Sequence, residues 1–485
     1  TRSRYEHLVD LIVLSEGRQY PEVITAIKRI RGLRRRNRTL PRFALLCACL
    51  LALSVAARAQ DLLPKFEEYA QATAKADRFS GAILIARDGK ILMSKGYGMA
   101  DVENDVPNTP ETKFRLGSLT KQFTSASIML LQERGKLSVQ DSICKYVAPC
   151  PEAWQPITLH HLLSHTAGVP NFTAFPDYQK TMREPAPVES LINRFRDRPL
   201  DFKPGEKWNY SNSGYVLLGY VVEKVSGGTY EKFVRENIFE PLKMSNTGYD
   251  HADAIIKHRA RGYTPRGEQI VNAAYLDMSI PFSAGGLYST VGDLYLWEQA
   301  LYSERLLKKA SLDAIYTPVQ HDYGYGWGVT TVYNRKAYAH SGGIDGFATN
   351  IMRFPEDRAT VIVLSNNEAA PSSRIARDLA AIVFGEKYEV PVERVVVKVD
   401  PKIYDAYVGE YEMAPGFVFT VTREGDHLMI QATGQGKTEL FPTSETNFFP
   451  KVVRADFTFV KDAEGRVTQL ILNQGGRQQP AKKIK

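Results

Sequence analysis

The sequence predicts an α+β fold: an antiparallel sheet flanked by helices, with a helical subdomain, followed by a small all-β domain. Two observations carry the first part. Strand-like segments stand at both ends of residues 60–385, GAILIARDGKILMSKGYG at the start and AYAHSGG, FATNIMRF and ATVIVLSN at the end. Between them the chain is mixed and mostly helical, so the terminal segments can share one sheet. A third observation carries the second part: after the linker EKYEVPVERVVVKVDP, residues 386–401, short strand-like runs recur with turn signals to residue 485.

Taken in order, a helix is expected from Leu62 to about Ala76, then two strands joined at Asp88-Gly89, a strong hairpin signal. From Leu119 to Arg134 the spacing of Phe123, Ser127, Leu130 and Leu131 is helical, with Gly135 as the stop. Thr290 followed by Asp293 marks a helix start. Three strands follow as AYAHSGG, FATNIMRF and ATVIVLSN, then a helix from Ser373 to Phe384. In residues 402–485 the runs FVFTV, HLMIQ, TELFP, ADFTFV and TQLIL, with turns at Glu424-Gly425 and Glu464-Gly465, predict a barrel or half-barrel.

The 485 residues carry a formal charge of +8, which on its face suggests a polyanion or membrane-surface binder. The location of the charge removes that reading. Residues 1–59 hold 12 of the 62 Lys and Arg but 4 of the 54 Asp and Glu, leaving 50 of each in residues 60–485. No nucleic-acid partner is expected.

The basic segment leads into FALLCACLLALSVAA, 15 residues from Phe43 to Ala57, and then Ala57-Arg58-Ala59 before Gln60. This is the pattern of a secretory signal peptide, and the run is shorter than the roughly 20 residues of a membrane span. The expectation is an exported protein, periplasmic or secreted, without an integral membrane span in its mature chain. Residues 1–30 precede the n-region and are read as upstream translation or a fragment artefact. The competing reading is a lipid anchor on Cys49 of Leu46-Cys47-Ala48-Cys49. Cys144 and Cys150, six apart in CKYVAPC, are disulfide candidates in an exported chain.

Several machines are set aside. No serine lies in G-x-S-x-G, and Gly436-Lys437-Thr438 has Gln431 where a P-loop needs its first glycine. His161 and His165 of HHLLSH have the i, i+4 spacing of zinc ligands but lack the glutamate of H-E-x-x-H, so a packed helix is expected. No metal or cofactor is called for. The stronger signal is Ser118-Leu119-Thr120-Lys121 at a helix start. Three residues of helix bring the lysine amine back to the serine hydroxyl, about 4.5 Å further along the axis. Serine is a poor nucleophile without a neighbouring base, and a lysine serves as one only where burial or a nearby cation lowers its proton affinity. Ser142-Ile143-Cys144-Lys145 has the same spacing but no helix start. Tyr210-Ser211-Asn212 and His340-Ser341-Gly342-Gly343 follow in that order.

Together these boxes resemble the serine β-lactamase and penicillin-binding-protein superfamily, most closely its class C branch with D-alanyl-D-alanine carboxypeptidases, D-amino-acid peptidases and esterases. Supporting phrases are FRLGSLTKQFT, ITLHHLLSHTAGV, PGEKWNYSNSGY, GGLYSTVGDL, YGYGWGV and HSGGIDGF. The resemblance implies a β-lactamase/transpeptidase-like domain and, over residues 402–485, a lipocalin-like domain. It implies that Ser118 forms an acyl-enzyme while Lys121 and Tyr210 share its proton. Asn212 would bond substrate and Lys121, the N–H groups of Ser118 and Gly343 would form the oxyanion hole, and His340, Ser341 and Gly342 would complete the substrate-binding strand. The third box departs from K-T-G: His340, cationic only in part near neutral pH, stands in place of a permanent cation, which disfavours efficient β-lactam hydrolysis. The expected substrate is a small peptide, ester or β-lactam-like amide. The competing reading is a penicillin-binding sensor or a cell-wall-fragment binder with little or no turnover.

Overall fold

The computed structural model describes residues 62–76, 79–266, 269–450, 455–474 and 477–485. The leader, with its signal-peptide and Cys49 readings, lies outside them. Helix α1 (Leu63–Ala76) precedes strands β1 (Gly81–Arg87) and β2 (Lys90–Tyr97). Helices α2 (Thr120–Glu133) and α3 (Asn212–Ser226) belong to the helical part, after which β3 (Gly328–Val332), β4 (Arg335–Ile344), β5 (Phe347–Phe354), β6 (Ala359–Ser365) and α4 (Ser372–Phe384) complete the domain. The six strands form one antiparallel sheet in the order β3-β4-β5-β6-β1-β2. β1 pairs with β6 from Gly81↔Ser365 to Arg87↔Ala359, so segments from the two ends of the domain lie side by side, as the sequence predicts.

The strand GAILIAR is apolar on both sides because both faces are covered. Ile83 and Ile85 pack in a cluster with Phe66 and Tyr69 of α1 and Ile375 and Leu379 of α4. Ala82 and Leu84 point the other way, into the larger cluster that holds Phe123 and Trp297. Asp88 and Gly89 both have positive φ, 52° and 75°, the geometry that makes Asp-Gly a hairpin signal.

Helix α2 runs through the middle of the helical part, with every residue from Thr120 to Leu131 buried. Several of its polar atoms are paired internally: Thr124 Oγ1 donates to the Ser283 carbonyl at 2.7 Å, and Gln122 Oε1 accepts from Trp297 Nε1 at 3.1 Å. A helix so enclosed can hold an ionisable group out of water. Cys144 and Cys150 form a disulfide, their Cα atoms 5.3 Å apart. Among the described residues no helix is long and apolar enough to cross a membrane.

Eight antiparallel strands between Gly409 and Lys483 close into a barrel. The last strand, Arg477–Lys483, returns to the first, Gly409–Ala414, through the pair Tyr411↔Lys483. Tyr407, Tyr411, Phe419, Phe448, Phe457 and Phe459 fill its interior with aromatic contacts, including a stacked Tyr407–Phe459 pair at 4.3 Å. An eight-stranded barrel is just wide enough to be filled in this way.

Candidate active site

Ser118 lies in a 3₁₀ turn, Gly117–Leu119, that runs directly into α2. Gly117, at φ 54°, allows the turn, and a side chain there would also meet the Gly343 carbonyl at 2.9 Å. One turn on, Lys121 Nζ is 3.0 Å from Ser118 Oγ, 2.8 Å from Asn212 Oδ1 and 2.8 Å from the Ala284 carbonyl. The lysine is 0% exposed, and burial holds its amine well below the ordinary lysine range. Two carbonyl oxygens can only accept, so they take two of its N–H groups; once the third proton is lost, the lone pair is left to face the Ser118 hydroxyl. When that amine takes a proton, the resulting ammonium keeps both carbonyls and gains the ring faces of Tyr210 and Tyr215, 4.8 and 5.4 Å away.

Tyr210 stands half-buried beside the pair. Burial raises its phenol above the ordinary range, and its hydrogen bond with Ser118 offsets this only in part, so the ring keeps its proton. His165 sets its position: the two ring centroids are 4.3 Å apart, and His165 Nδ1 accepts from the Ser211 N–H at 3.2 Å. That acceptor role puts the imidazole proton on Nε2. Asn212 opens α3, and its amide is oriented from behind. Its Nδ2 donates to Thr173 Oγ1 at 3.0 Å and its backbone N–H to Asn171 Oδ1 at 3.1 Å, which leaves Oδ1 to face Lys121.

The strand β4 supplies the third side. Alternation along it exposes Ser341 and Gly343 while burying His340 and Gly342. Any side chain at Gly342 would collide with the Leu116 carbonyl and Thr349 Oγ1, which are themselves hydrogen-bonded at 2.8 Å. The strand can thus approach the segment carrying Ser118 closely only with glycine at this position.

His340 differs from the sequence expectation of a partly cationic imidazole. It is 9% exposed, its Nδ1 meets the Ser341 carbonyl at 2.6 Å, and its Nε2 meets Tyr323 Oη at 2.8 Å. A carbonyl only accepts, so Nδ1 carries the proton and Nε2 accepts from the tyrosine. Burial is the main cause that pushes its pKa down to about 4. It is therefore neutral at pH 7. Because its folded pKa lies below the unfolded value of about 6.5, the folded state is unpenalised above pH 6.5 and loses stability as pH falls from there through 4. That loss amounts to about 3 kcal/mol, from the pKa difference at about 1.4 kcal/mol per unit. Denaturation at a series of pH values should show His340→Gln with a shallower acid slope than the wild type; equal slopes would contradict the assignment.

These groups meet at a cleft of about 150 Å³ whose lining includes Ser118, Asn212, Gly343, Phe172, Tyr178 and Asp345. Of the residues singled out in the sequence, Ser118, Lys121, Tyr210 and Asn212 are brought together by direct contacts, and Gly343 joins them at the cleft wall. His340 and Gly342 lie beneath that wall. The decoy pair Ser142 and Lys145 is elsewhere, with Lys145 paired to Asp141 at 2.9 Å. Asn171, Thr173, His165, Tyr323 and Ala284 were not singled out for the site; HTAGVPNFT carries the first three of the missed side chains without a chemical signature.

A family model described as Beta-lactamase matches residues 66–384, which take in the sheet, the helical part and the whole cleft. The chain belongs to the beta-lactamase family. Its barrel matches a second model, Domain of unknown function (DUF3471), over residues 393–483. Penicillin-binding protein 4* of Bacillus subtilis (strain 168) is 34% identical over 439 residues, covering 84% of this chain and 96% of the relative. The octameric penicillin-binding protein homologue from Pyrococcus abyssi has 28% identity and a TM-score of 0.60, covering 88% of this chain and 100% of that one. A D-stereospecific amidohydrolase from Streptomyces sp. has 25% identity and a TM-score of 0.57, covering 66% and 98%. This beta-lactamase-family chain is thus a relative of penicillin-binding proteins within a family of serine hydrolases.

Proposed function

We propose that the protein is an exported serine hydrolase that works through an acyl-enzyme on Ser118 and acts on D-amino-acid peptides, amides or esters. The observation that carries this is the fully buried Lys121 amine, its proton affinity lowered by burial, 3.0 Å from Ser118 Oγ and 2.8 Å from each of two carbonyl oxygens. Lys121 takes the Ser118 proton as Oγ forms a bond to the substrate carbonyl carbon. The N–H groups of Ser118 and Gly343 receive the oxyanion. As the tetrahedral species collapses, the bond to the leaving nitrogen or oxygen breaks and that atom takes a proton relayed from Lys121 through Tyr210. Water then adds to the ester, Lys121 accepts its proton, and the acid departs as Ser118 recovers its hydrogen. Tyr210 suits the relay because its phenol stays protonated.

The substrate class draws on two supports. The similar Streptomyces structure is described as a D-stereospecific amidohydrolase. The neutral His340 offers no cation for the carboxylate of a β-lactam. A panel of a nitrophenyl ester, D- and L-alanyl amides and nitrocefin tests the reading. Expected is turnover of ester and D-amide, with nitrocefin slowest; rapid nitrocefin hydrolysis, or preference for the L-amide, would overturn the substrate assignment.

A further inference from the structure

The cleft beside Ser118 has an uneven lining. Phe172 and Tyr178 form an aromatic wall, their rings 5.9 Å apart in an edge-on contact, and Leu276 and Pro281 add apolar surface. Among the described residues lining it, Asp345 is the one with a charged side chain. Asp345 follows β4 in the turn to β5, one residue from Ile344 and two from Gly343, so it stands at the end of the strand that forms the cleft wall. Its surroundings do not neutralise it fully. The neighbouring Glu368 adds like charge, and its Oε2 accepts from the Gly346 N–H at 2.7 Å. Arg115, whose charge acts on Asp345, is committed to the fully buried Asp250 at 2.6 Å. Burial, with a smaller contribution from Glu368, raises the Asp345 carboxyl above the ordinary range, and its own backbone N–H and the weaker pull of Arg115 offset this only in part. A half-buried carboxylate in a cleft with no cation of its own gains most from one carried in by the ligand.

We propose that Asp345 is a specificity-determining residue that holds the free α-ammonium group of the acyl part of the substrate, so that the preferred substrates are D-aminoacyl amides and amino-terminal D-residues with apolar side chains. This rests on the acyl-enzyme reading of Ser118 and narrows it. A substrate recognised by its free carboxylate finds no lining cation and faces Asp345, whereas an ammonium next to the scissile carbonyl finds a charged hydrogen-bond acceptor and an apolar wall for its side chain.

The test uses the full chain and three chromogenic substrates: D-phenylalanine p-nitroanilide, its N-acetyl derivative, and p-nitrophenyl acetate. The wild type should favour the free amine over the N-acetyl compound by about 10- to 100-fold in kcat/KM, the range of one charge-assisted hydrogen bond. Asp345→Asn should collapse that ratio towards one, and Asp345→Glu should restore part of it. A wild-type ratio of one or less overturns the proposal without any variant, and so does an undiminished ratio in a folded Asp345→Asn. Turnover of p-nitrophenyl acetate with neither anilide cleaved refutes the amine preference while leaving the serine hydrolase standing; no turnover of any of the three refutes both.

Discussion

Replacing Lys121 by alanine lowers kcat for a good ester or amide substrate by about 10³-fold, in the middle of the range for general acid–base catalysis. The argument is local. Ser118 has one buried amine at 3.0 Å, and among the described residues that amine makes no hydrogen bond to a carboxylate that would hold a proton. Its remaining partners are neutral carbonyl oxygens, so burial decides its charge. Lys121→Ala removes the proton acceptor and also leaves the Asn212 and Ala284 oxygens facing a void. Lys121→Arg fills part of that void but stays charged at every accessible pH, so it should be about as inactive as alanine. Single-turnover kinetics with a nitrophenyl ester separates the acylation step from product release. A loss below tenfold for both variants would mean that another group takes the serine proton.

Asp250→Ala lowers the stability of the beta-lactamase domain by about 3 kcal/mol or more. Asp250 is completely buried and receives Arg115 Nε at 2.6 Å on one oxygen and Arg259 Nη1 at 2.7 Å on the other. The arginines are 18% and 28% exposed at their side chains, so neither is fully solvated once its partner is gone. Removing the shared anion leaves two like charges close together, which costs more than the triad's own net contribution. Arg115 lies three residues before Ser118, and Asp250 N–H donates to the Gly286 carbonyl at 2.9 Å, close to Ala284 and its bond to Lys121. The same variant should therefore lose activity through a looser site. Calorimetry that follows the domain transition separately from the barrel is the check; a shift equivalent to less than 1 kcal/mol would show that the arginines find other partners.

Much of this was legible because it is written in local spacing. Ser118 and Lys121 meet through one turn of helix, and a turn of helix can be read from four residues. The sheet was legible from alternating and continuous apolar runs, and the contact of its terminal segments from their places at the two ends of the domain. What was missed depends on tertiary placement. The edge strand β3 has two exposed threonines, and its hairpin turn uses Tyr333 and Asn334 at positive φ, 51° and 57°, with no glycine to announce it. The closing barrel strand reads RQQPAKK and buries only Ala481, so it carries no apolar alternation.

Site chemistry divides in the same way. Asn212 could be read from its box, but the Asn171 and Thr173 that orient its amide come from a loop that only the fold brings near. His340 could be read as a residue of the third box, but its charge could not, because that depends on burial against Tyr323 and on the Ser341 carbonyl. Asp345 has no signature beyond its place after HSGG. In each case the residue type is visible in the sequence and its state is set by neighbours distant along the chain.

Intact-protein mass spectrometry after rapid mixing with a D-aminoacyl ester, followed by peptide mapping, tests the central claim most directly. The account predicts an acyl adduct on Ser118 that decays at the turnover rate in the wild type and never forms in Ser118→Ala. Turnover that survives Ser118→Ala unchanged, or an adduct mapped to any other residue, would contradict it.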